Sequence, residues 1–121
     1  MNEQPKKIMV AEDDPAISDA LRIILESEGY EVLLSRDGMD ALHLEKDIPN
    51  LLLLDIWLSG VDGKKVCEHL KKKKDTADLP IILVSANKDI AVIAEECGAN
   101  DFLPKPFELE ELLSKVKTHI K

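Results

Sequence analysis

The feature that most limits the possible fold is a regular alternation of short apolar runs with amphipathic segments. The runs are bounded by turn and capping residues, which is typical of strands, and the segments between them repeat apolar residues at helical spacing. The predicted strands are 6–11, 31–35, 51–55, 80–85 and 101–104. The predicted helices begin at Pro15, Asp37, Gly63, Ile90 and Leu109, and they end near Gly29, Lys46, Lys73, Gly98 and Ile120. Alternation of this kind predicts a parallel sheet with helices on both faces.

Right-handed crossovers between parallel strands favour a doubly wound, flavodoxin-like α/β sheet of five strands in the order 2-1-3-4-5, with five helices. No linker or repeat interrupts the pattern, and 121 residues suit one domain. We therefore expect a single domain over residues 1–121. In such sheets ligands bind beyond the carboxyl ends of the strands, where strands 1 and 3 lie side by side.

Charge and hydropathy exclude several classes of function. The net charge is −8 and the pI is about 4.8, whereas binding to nucleic acid phosphates needs clustered Lys and Arg; we predict no direct nucleic-acid binding. The N-terminal apolar run, Ile8 to Ala11, is too short for a membrane span or a secretion signal. We therefore predict a cytoplasmic protein with no membrane contact, whose two separated cysteines, Cys67 and Cys97, are reduced.

Acidic residues follow the two strands that should flank the binding position. Strand 1 is followed by Glu12, Asp13 and Asp14, and strand 3, the leucine run 51–54, is followed by Asp55. Carboxylates this close repel each other, and a divalent cation relieves the repulsion. Oxygen ligands of this kind suit Mg²⁺, and an aspartate beside Mg²⁺ is a plausible phosphoryl acceptor.

Two groups that can hold phosphoryl oxygens follow the remaining strands. Strand 4 ends at Ser85, and strand 5 runs into Lys105. A hydroxyl and an ammonium group both donate hydrogen bonds to phosphoryl oxygens. The sequence therefore predicts a phosphoryl-transfer site with Asp55 as acceptor, assisted by Lys105 and Ser85.

Four motifs carry a family resemblance: "AEDDP", "LLLLDIWLSGVDG", "PIILVSA" and "GANDFLPKPF". In this order and at these positions among the strands, they resemble the receiver (REC) domain of bacterial two-component response regulators, of the chemotaxis-regulator-like type. The resemblance covers essentially the whole chain. Two positions depart from the family pattern: Ser59 stands where many members have proline, and Ser85 where threonine is commoner.

The resemblance implies a signalling domain rather than an enzyme, one that assists only its own phosphorylation and dephosphorylation. Asp55 would take a phosphoryl group from the phosphohistidine of a histidine kinase or a histidine phosphotransfer protein, and Lys105 would contact that group. Asp14 would cap the first helix, and Pro106 would follow a cis peptide bond. The implied Mg²⁺ ligands are the carboxylates of Glu12, Asp13 and Asp55 and the backbone carbonyl of Trp57.

The resemblance also implies a switch made of Ser85 and Phe102. Phosphorylation would draw the Ser85 hydroxyl towards the new phosphoryl group, and Phe102 would rotate into the space that it leaves. The face formed by the fourth helix, the fifth strand and the fifth helix would change shape and bind a downstream protein or a second copy of the chain.

Other functions remain as alternatives. A phosphatase of the aspartate-nucleophile type usually carries a second aspartate two residues after the first, where this chain has Trp57. A receiver-like binding module without phosphorylation would be expected to lack Asp13, Asp55 or Lys105, and all three are present.

Simpler roles for single residues also remain. Asp13 could share in helix capping, Lys105 could be a solvated loop residue, and Phe102 could serve only the core. The lysine run 71–74 is expected to face water at the end of the third helix. The histidines lack ligand spacing and are expected at the surface; they are His43, His69 and His119.

Overall fold

The computed structural model describes residues 4–121 and contains a five-stranded sheet, five helices and a small hairpin. The sheet strands are β1 (Lys7–Ala11), β2 (Glu31–Ser35), β3 (Leu51–Leu54), β6 (Ile81–Ser85) and β7 (Asp101–Pro104). The helices are α1 (Pro15–Ser27), α2 (Met39–Leu42), α3 (Gly63–Lys72), α4 (Ile90–Cys97) and α5 (Leu109–His119). The hairpin is β4 (Trp57–Leu58) and β5 (Val61–Asp62).

The sheet has the order β2-β1-β3-β6-β7, and all its pairings are parallel. Counting only the strands of this sheet, the order is 2-1-3-4-5, which confirms the predicted doubly wound fold. Within residues 4–121, none of the helices has the length and apolar character that crossing a membrane requires.

The leucine run of β3 is buried because it serves two separate cores. Leu52 and Leu54 pack on the face covered by α3 and α4, whereas Leu51 and Leu53 pack on the face covered by α1 and α5. Side chains alternate between the two faces of a strand, so a central strand with helices on both sides needs apolar residues at every position. All four leucines are 1% exposed or less, and together they fix the end of β3.

The register of the strands brings the predicted site residues to one edge of the sheet. Ala11 pairs with Leu54, and the Asp55 amide donates to the Ala11 carbonyl at 3.0 Å. The residues that follow β1 and β3 therefore lie side by side. Ser85 pairs with Pro104, which brings the residue after β7 to the same edge.

Helix α3 also holds the end of β3. Gly63 is its first residue, and a Cβ atom there would lie 2.1 Å from the backbone oxygen of Asp55. Only glycine allows the helix to start so close to that backbone.

The second helix is shorter than predicted, since α2 covers only Met39–Leu42 rather than 37–46. Asp37 and Gly38 form a turn instead, in which Gly38 has a left-handed φ of 78° and the Asp37 carboxylate accepts from the Met39 amide. Beyond the helix, Leu44 turns back into the core. The lysine and acidic residues around it offer no apolar stripe that would continue the helix.

The hairpin β4–β5 was not predicted from the sequence, which indicated only a loose loop after Asp55. Trp57 pairs with Asp62 and Leu58 with Val61, so Ser59 and Gly60 form the two-residue turn. Gly60 has φ 75°, which this tight turn requires. The Ser-Gly pair was the available signal for it.

The expectation that the lysine run 71–74 faces water was wrong in part. Lys71 Nζ donates to the Leu79 carbonyl at 2.7 Å, and Lys73 Nζ donates to the Leu44 carbonyl at 2.7 Å, so these two lysines of the run 71–74 tie loops to the helix. The two cysteines carry free thiols, as expected, yet they are neighbours: the Cys67 thiol contacts the Cys97 carbonyl at 3.4 Å.

Candidate functional site

Three carboxylates converge at the edge of the sheet where β1 and β3 end. Glu12, Asp13 and Asp55 each offer an oxygen, and these oxygens lie within 4.8 Å of one another. Glu12 is 3% exposed and Asp55 is 7% exposed, while Asp13 is half-buried. Buried like charges at this separation need a compensating cation.

Lys105 supplies positive charge from the loop after β7. Its Nζ donates to Glu12 Oε1 at 2.6 Å and to Asp55 Oδ2 at 2.9 Å, and its amide donates to the Ser85 carbonyl at 2.9 Å. It is therefore not a solvated loop lysine. The following bond, Lys105–Pro106, is cis, as the resemblance implied.

The pKa values of Lys105 and Glu12 are both raised above their ordinary values. Burial alone would lower the pKa of Lys105, but its hydrogen bonds to Glu12 and Asp55 outweigh that effect and raise the pKa above its ordinary value. Burial raises the pKa of Glu12, and the Lys105 hydrogen bond only partly offsets the rise. The ammonium therefore stays charged, and ionisation of Glu12 is held back by its burial.

Backbone amides orient the same carboxylates. Glu12 Oε2 accepts from the Asp14 amide at 3.2 Å, and Asp55 Oδ1 accepts from the Trp57 amide at 3.1 Å. Asp14 caps α1 by accepting from the Ala16 amide at 2.9 Å, so the predicted helix cap is confirmed. These bonds leave the side chains little freedom to turn out of the site.

Two clefts open onto Asp55. One, of about 720 Å³, lies between the loop after β1 and the β4–β5 hairpin. The other, of about 570 Å³, extends towards Ser85 and Asn87. Trp57 and Lys105 line both clefts together with Asp55, and Trp57 is 77% exposed. Asp55 is therefore open to small molecules from two sides, with Trp57 lining both clefts.

Ser85 lies at the end of β6, beside the second cleft. Its side chain is buried, and its Oγ accepts from the Asn87 amide at 3.1 Å. Ser85 lines the same cleft as Asp55.

Phe102 lies on β7, and its half-buried side chain packs against the core beside an ion-pair network that was not predicted from the sequence. Lys115 Nζ lies 5.7 Å from the centre of the Phe102 ring and 2.9 Å from Asp101 Oδ1. His119 Nε2 lies 2.9 Å from the other oxygen of Asp101. Burial would raise the pKa of Asp101, but hydrogen bonds from Lys115, the Phe102 amide and His119 lower it below its ordinary value. His119 is thus partly buried and bonded rather than a free surface residue, whereas His43 and His69 are exposed as expected.

Comparison with known protein families identifies the family of this chain. The model of the response regulator receiver domain matches residues 8–117. The chain belongs to this family. The receiver domain identified from the four sequence motifs is therefore confirmed as a signalling domain of two-component systems.

A related sequence and two related structures show how far the similarity extends. The DNA-binding dual master transcriptional regulator RpaA of Synechocystis is 40% identical over 114 residues, which are 92% of this chain and 47% of that protein. A putative response regulator from Chloroflexus aurantiacus has a TM-score of 0.88 at 36% identity, covering 94% of this chain and 96% of that one. TrrA of Thermotoga maritima, solved in complex with Mg²⁺-BeF, has a TM-score of 0.85 at 33% identity, covering 95% and 99%.

The chain spans about half the length of the curated relatives it matches. The similarity therefore concerns the receiver domain of these relatives and not the remaining half of their length.

Proposed function

We propose that this receiver domain accepts a phosphoryl group on Asp55 from a phosphohistidine donor. The observation that carries the proposal is the position of Asp55: its carboxylate lies at the meeting point of two clefts, beside two further acids and within 2.9 Å of Lys105. The carboxylate forms a new bond to phosphorus as the N–P bond of phosphohistidine breaks, and the donor imidazole leaves with the bonding electron pair.

The chain's own groups have distinct tasks in this transfer. The Trp57 amide and Lys105 Nζ hold the two oxygens of Asp55, which fixes the direction of attack. Lys105 carries a positive charge that balances the charge on the incoming phosphoryl oxygens. Ser85, which lines the second cleft, can donate a hydrogen bond from its hydroxyl group to one of these oxygens.

The proposed cofactor is Mg²⁺. The site fits it, because the carboxylate oxygens within 4.8 Å of one another are the ligand type that Mg²⁺ prefers. Bound Mg²⁺ would offset negative charge on the transferring group. The Mg²⁺-BeF complex of TrrA supports the same choice. The ligands we propose are the carboxylates of Glu12, Asp13 and Asp55 and the carbonyl of Trp57.

We also propose that Ser85 and Phe102 form a switch acting on the face made by α4, β7 and α5. Phosphorylation adds charge and strong acceptor oxygens, towards which Ser85 moves while Phe102 rotates inward. Val92 on α4 and Leu109 on α5 are 56% and 48% exposed, which supports this face as a contact surface. A downstream protein or a second copy of the chain would bind there.

The remaining parts of the proposal concern the partners of the domain and its location in the cell. We expect a histidine kinase or histidine phosphotransfer protein as the donor, no catalytic turnover of other substrates, and a cytoplasmic location. Residues 1–121 act as one receiver domain. We expect this domain, with its charge of −8, to make no direct contact with nucleic acid or membrane.

Incubation with a phosphoryl donor tests the central step. With radiolabelled acetyl phosphate and Mg²⁺, the wild-type domain should gain an acid-stable, alkali-labile label, and omission of Mg²⁺ or Asp55→Asn should abolish it. Asp19→Asn is the matched control, because Asp19 is an exposed residue of α1. Labelling of Asp55→Asn at the wild-type yield would show that the acceptor is wrong. Absence of label in the wild type would favour a receiver-like binding module, and steady release of phosphate with turnover would favour the phosphatase alternative.

A further inference from the structure

A hydrogen bond connects the acidic cluster to the tip of the β4–β5 hairpin. Ser59 Oγ donates to Asp13 Oδ2 at 3.0 Å, although the two residues are 46 positions apart in the sequence. Asp13 lies after β1 and Ser59 lies in the turn after β4, so the bond joins two loops on opposite sides of the larger cleft.

The turn itself does not require serine at this position. Ser59 and Gly60 are the central residues of the turn, and Gly60 has φ 75°. A positive φ confined to the second central residue is typical of a type II turn, in which proline is favoured at the first. Proline at position 59 would support the turn but would offer no donor to Asp13. The serine therefore adds a contact that the hairpin does not need for its own geometry.

We propose that Ser59 is a positioning residue for the metal site: its hydroxyl holds one oxygen of Asp13 and leaves the other free for Mg²⁺. A carboxylate that is free to rotate loses more entropy when it binds a cation than one already held, and outer partners of metal ligands act in this way. The inference rests on the proposed Mg²⁺ site, and it assigns to that site a residue outside the ligand set.

The same bond also restrains the hairpin. Trp57, whose carbonyl is a proposed ligand, lies two residues before Ser59 in the same hairpin. Holding the turn against Asp13 therefore keeps two ligand-bearing segments together before the cation arrives. Because Ser59 is exposed and Asp13 is half-buried, we expect loss of the hydroxyl to weaken Mg²⁺ binding about three- to tenfold, at or below the lower end of the range for buried partners.

Titration with Mg²⁺ alone tests this inference without any phosphoryl transfer. Trp57 is the single tryptophan of the chain and borders the site, so its fluorescence reports on binding, and calorimetry gives an independent dissociation constant. Ser59→Ala and Ser59→Pro should bind Mg²⁺ about three- to tenfold more weakly than wild type, and Ser59→Thr, which keeps a hydroxyl, should restore the affinity.

The results separate this inference from the proposed function. If wild type binds Mg²⁺ and Ser59→Ala and Ser59→Pro bind it equally well, the positioning role is wrong while the metal site stands. If Ser59→Thr is as weak as Ser59→Ala, the effect does not come from the hydroxyl and the inference also fails. A wild-type domain that does not bind Mg²⁺ would overturn both. Urea unfolding of each variant, with a midpoint close to wild type, confirms that affinities are compared between folded proteins.

Discussion

Replacement of Lys105 by methionine should destabilise the protein, and the loss should depend on pH and Mg²⁺. Lys105 forms ion pairs with Glu12 at 2.6 Å and with Asp55 at 2.9 Å, and both acids are buried. Methionine keeps most of the side-chain volume but leaves these carboxylates without their cation. The variant therefore isolates the charge of Lys105 from its packing.

The size of the effect follows from the geometry. At an effective dielectric constant of about 20, charges at these separations attract by about 6 kcal/mol per pair before the loss of hydration is subtracted. Removing one partner of a buried ion pair lowers stability by about 3–5 kcal/mol. Because the Lys105 side chain is 18% exposed and two clefts admit water to the carboxylates, we expect the lower end of that range. A loss of about 3 kcal/mol moves the urea midpoint down by about 1–3 M.

The pH dependence has a definite sign. Burial raises the pKa of Glu12 above its ordinary value of 4.5, and Lys105 opposes the rise; without Lys105 the pKa rises further. A carboxyl group whose pKa is raised in the folded state stabilises folding when protonated, and that contribution is lost as the pH rises through the folded pKa. The difference in stability between Lys105→Met and wild type should therefore be largest at neutral pH and should shrink as the pH falls towards 4.5.

Urea unfolding at several pH values, with a chelator or with Mg²⁺, measures these effects. Mg²⁺ should stabilise Lys105→Met more than wild type, because the lysine no longer repels the cation and binding to the folded state adds stability. Lys88→Met is the matched control, since it changes the net charge equally at an exposed position. The reasoning would be refuted by a variant as stable as wild type at neutral pH in chelator, or by a difference that stays constant down to pH 4.5.

Two further predictions concern the phosphorylated state. Trp57→Asn should speed loss of the phosphoryl group several-fold, which corresponds to about 1 kcal/mol in the barrier to hydrolysis. The indole excludes the attacking water, whereas an amide at this position, like that of Asn87 on the opposite rim, could orient it. Decay of the phosphorylated variant at saturating Mg²⁺ that is as slow as that of wild type would contradict this. Ser85→Ala should still accept label, yet its amide exchange over residues 86–107 should respond less to a phosphoryl mimic than that of wild type; an equal response would argue against the switch.

The sheet could be predicted from the sequence because its central strands are continuous apolar runs. A short apolar run without alternation, such as 51–54, predicts a strand covered on both faces when polar and turn residues flank it. The polar residues that follow such parallel strands meet at one edge of the sheet. The convergence of Glu12, Asp13 and Asp55, together with Lys105, followed from that topology rather than from any contact between sequence neighbours.

Contacts that depend on loop geometry could not be predicted in the same way. The bond between Ser59 and Asp13 requires the hairpin, whose strands are two residues long and leave no periodic pattern. The network around Asp101 joins β7 to Lys115 and His119 on α5, and helical periodicity indicates which residues face inward but not which acid they reach. The proximity of Cys67 and Cys97 likewise depends on the packing of α3 against α4.

The stability of the acidic site must come from the surrounding core, because its own charges oppose folding. The leucines of β3 are buried on both faces of the sheet, and Gly63 places the start of α3 against the backbone of Asp55, so apolar packing fixes the acceptor in a position that electrostatics disfavours. Burial raises the pKa of Glu12 even though Lys105 lies beside it, which means that one lysine does not fully offset the cost of burying this carboxylate. A cation or a phosphoryl group that changes this charge balance therefore acts on the stability of the folded state itself, and Ser59, Ser85 and Lys105, which line the two clefts, are the side chains placed to respond to it.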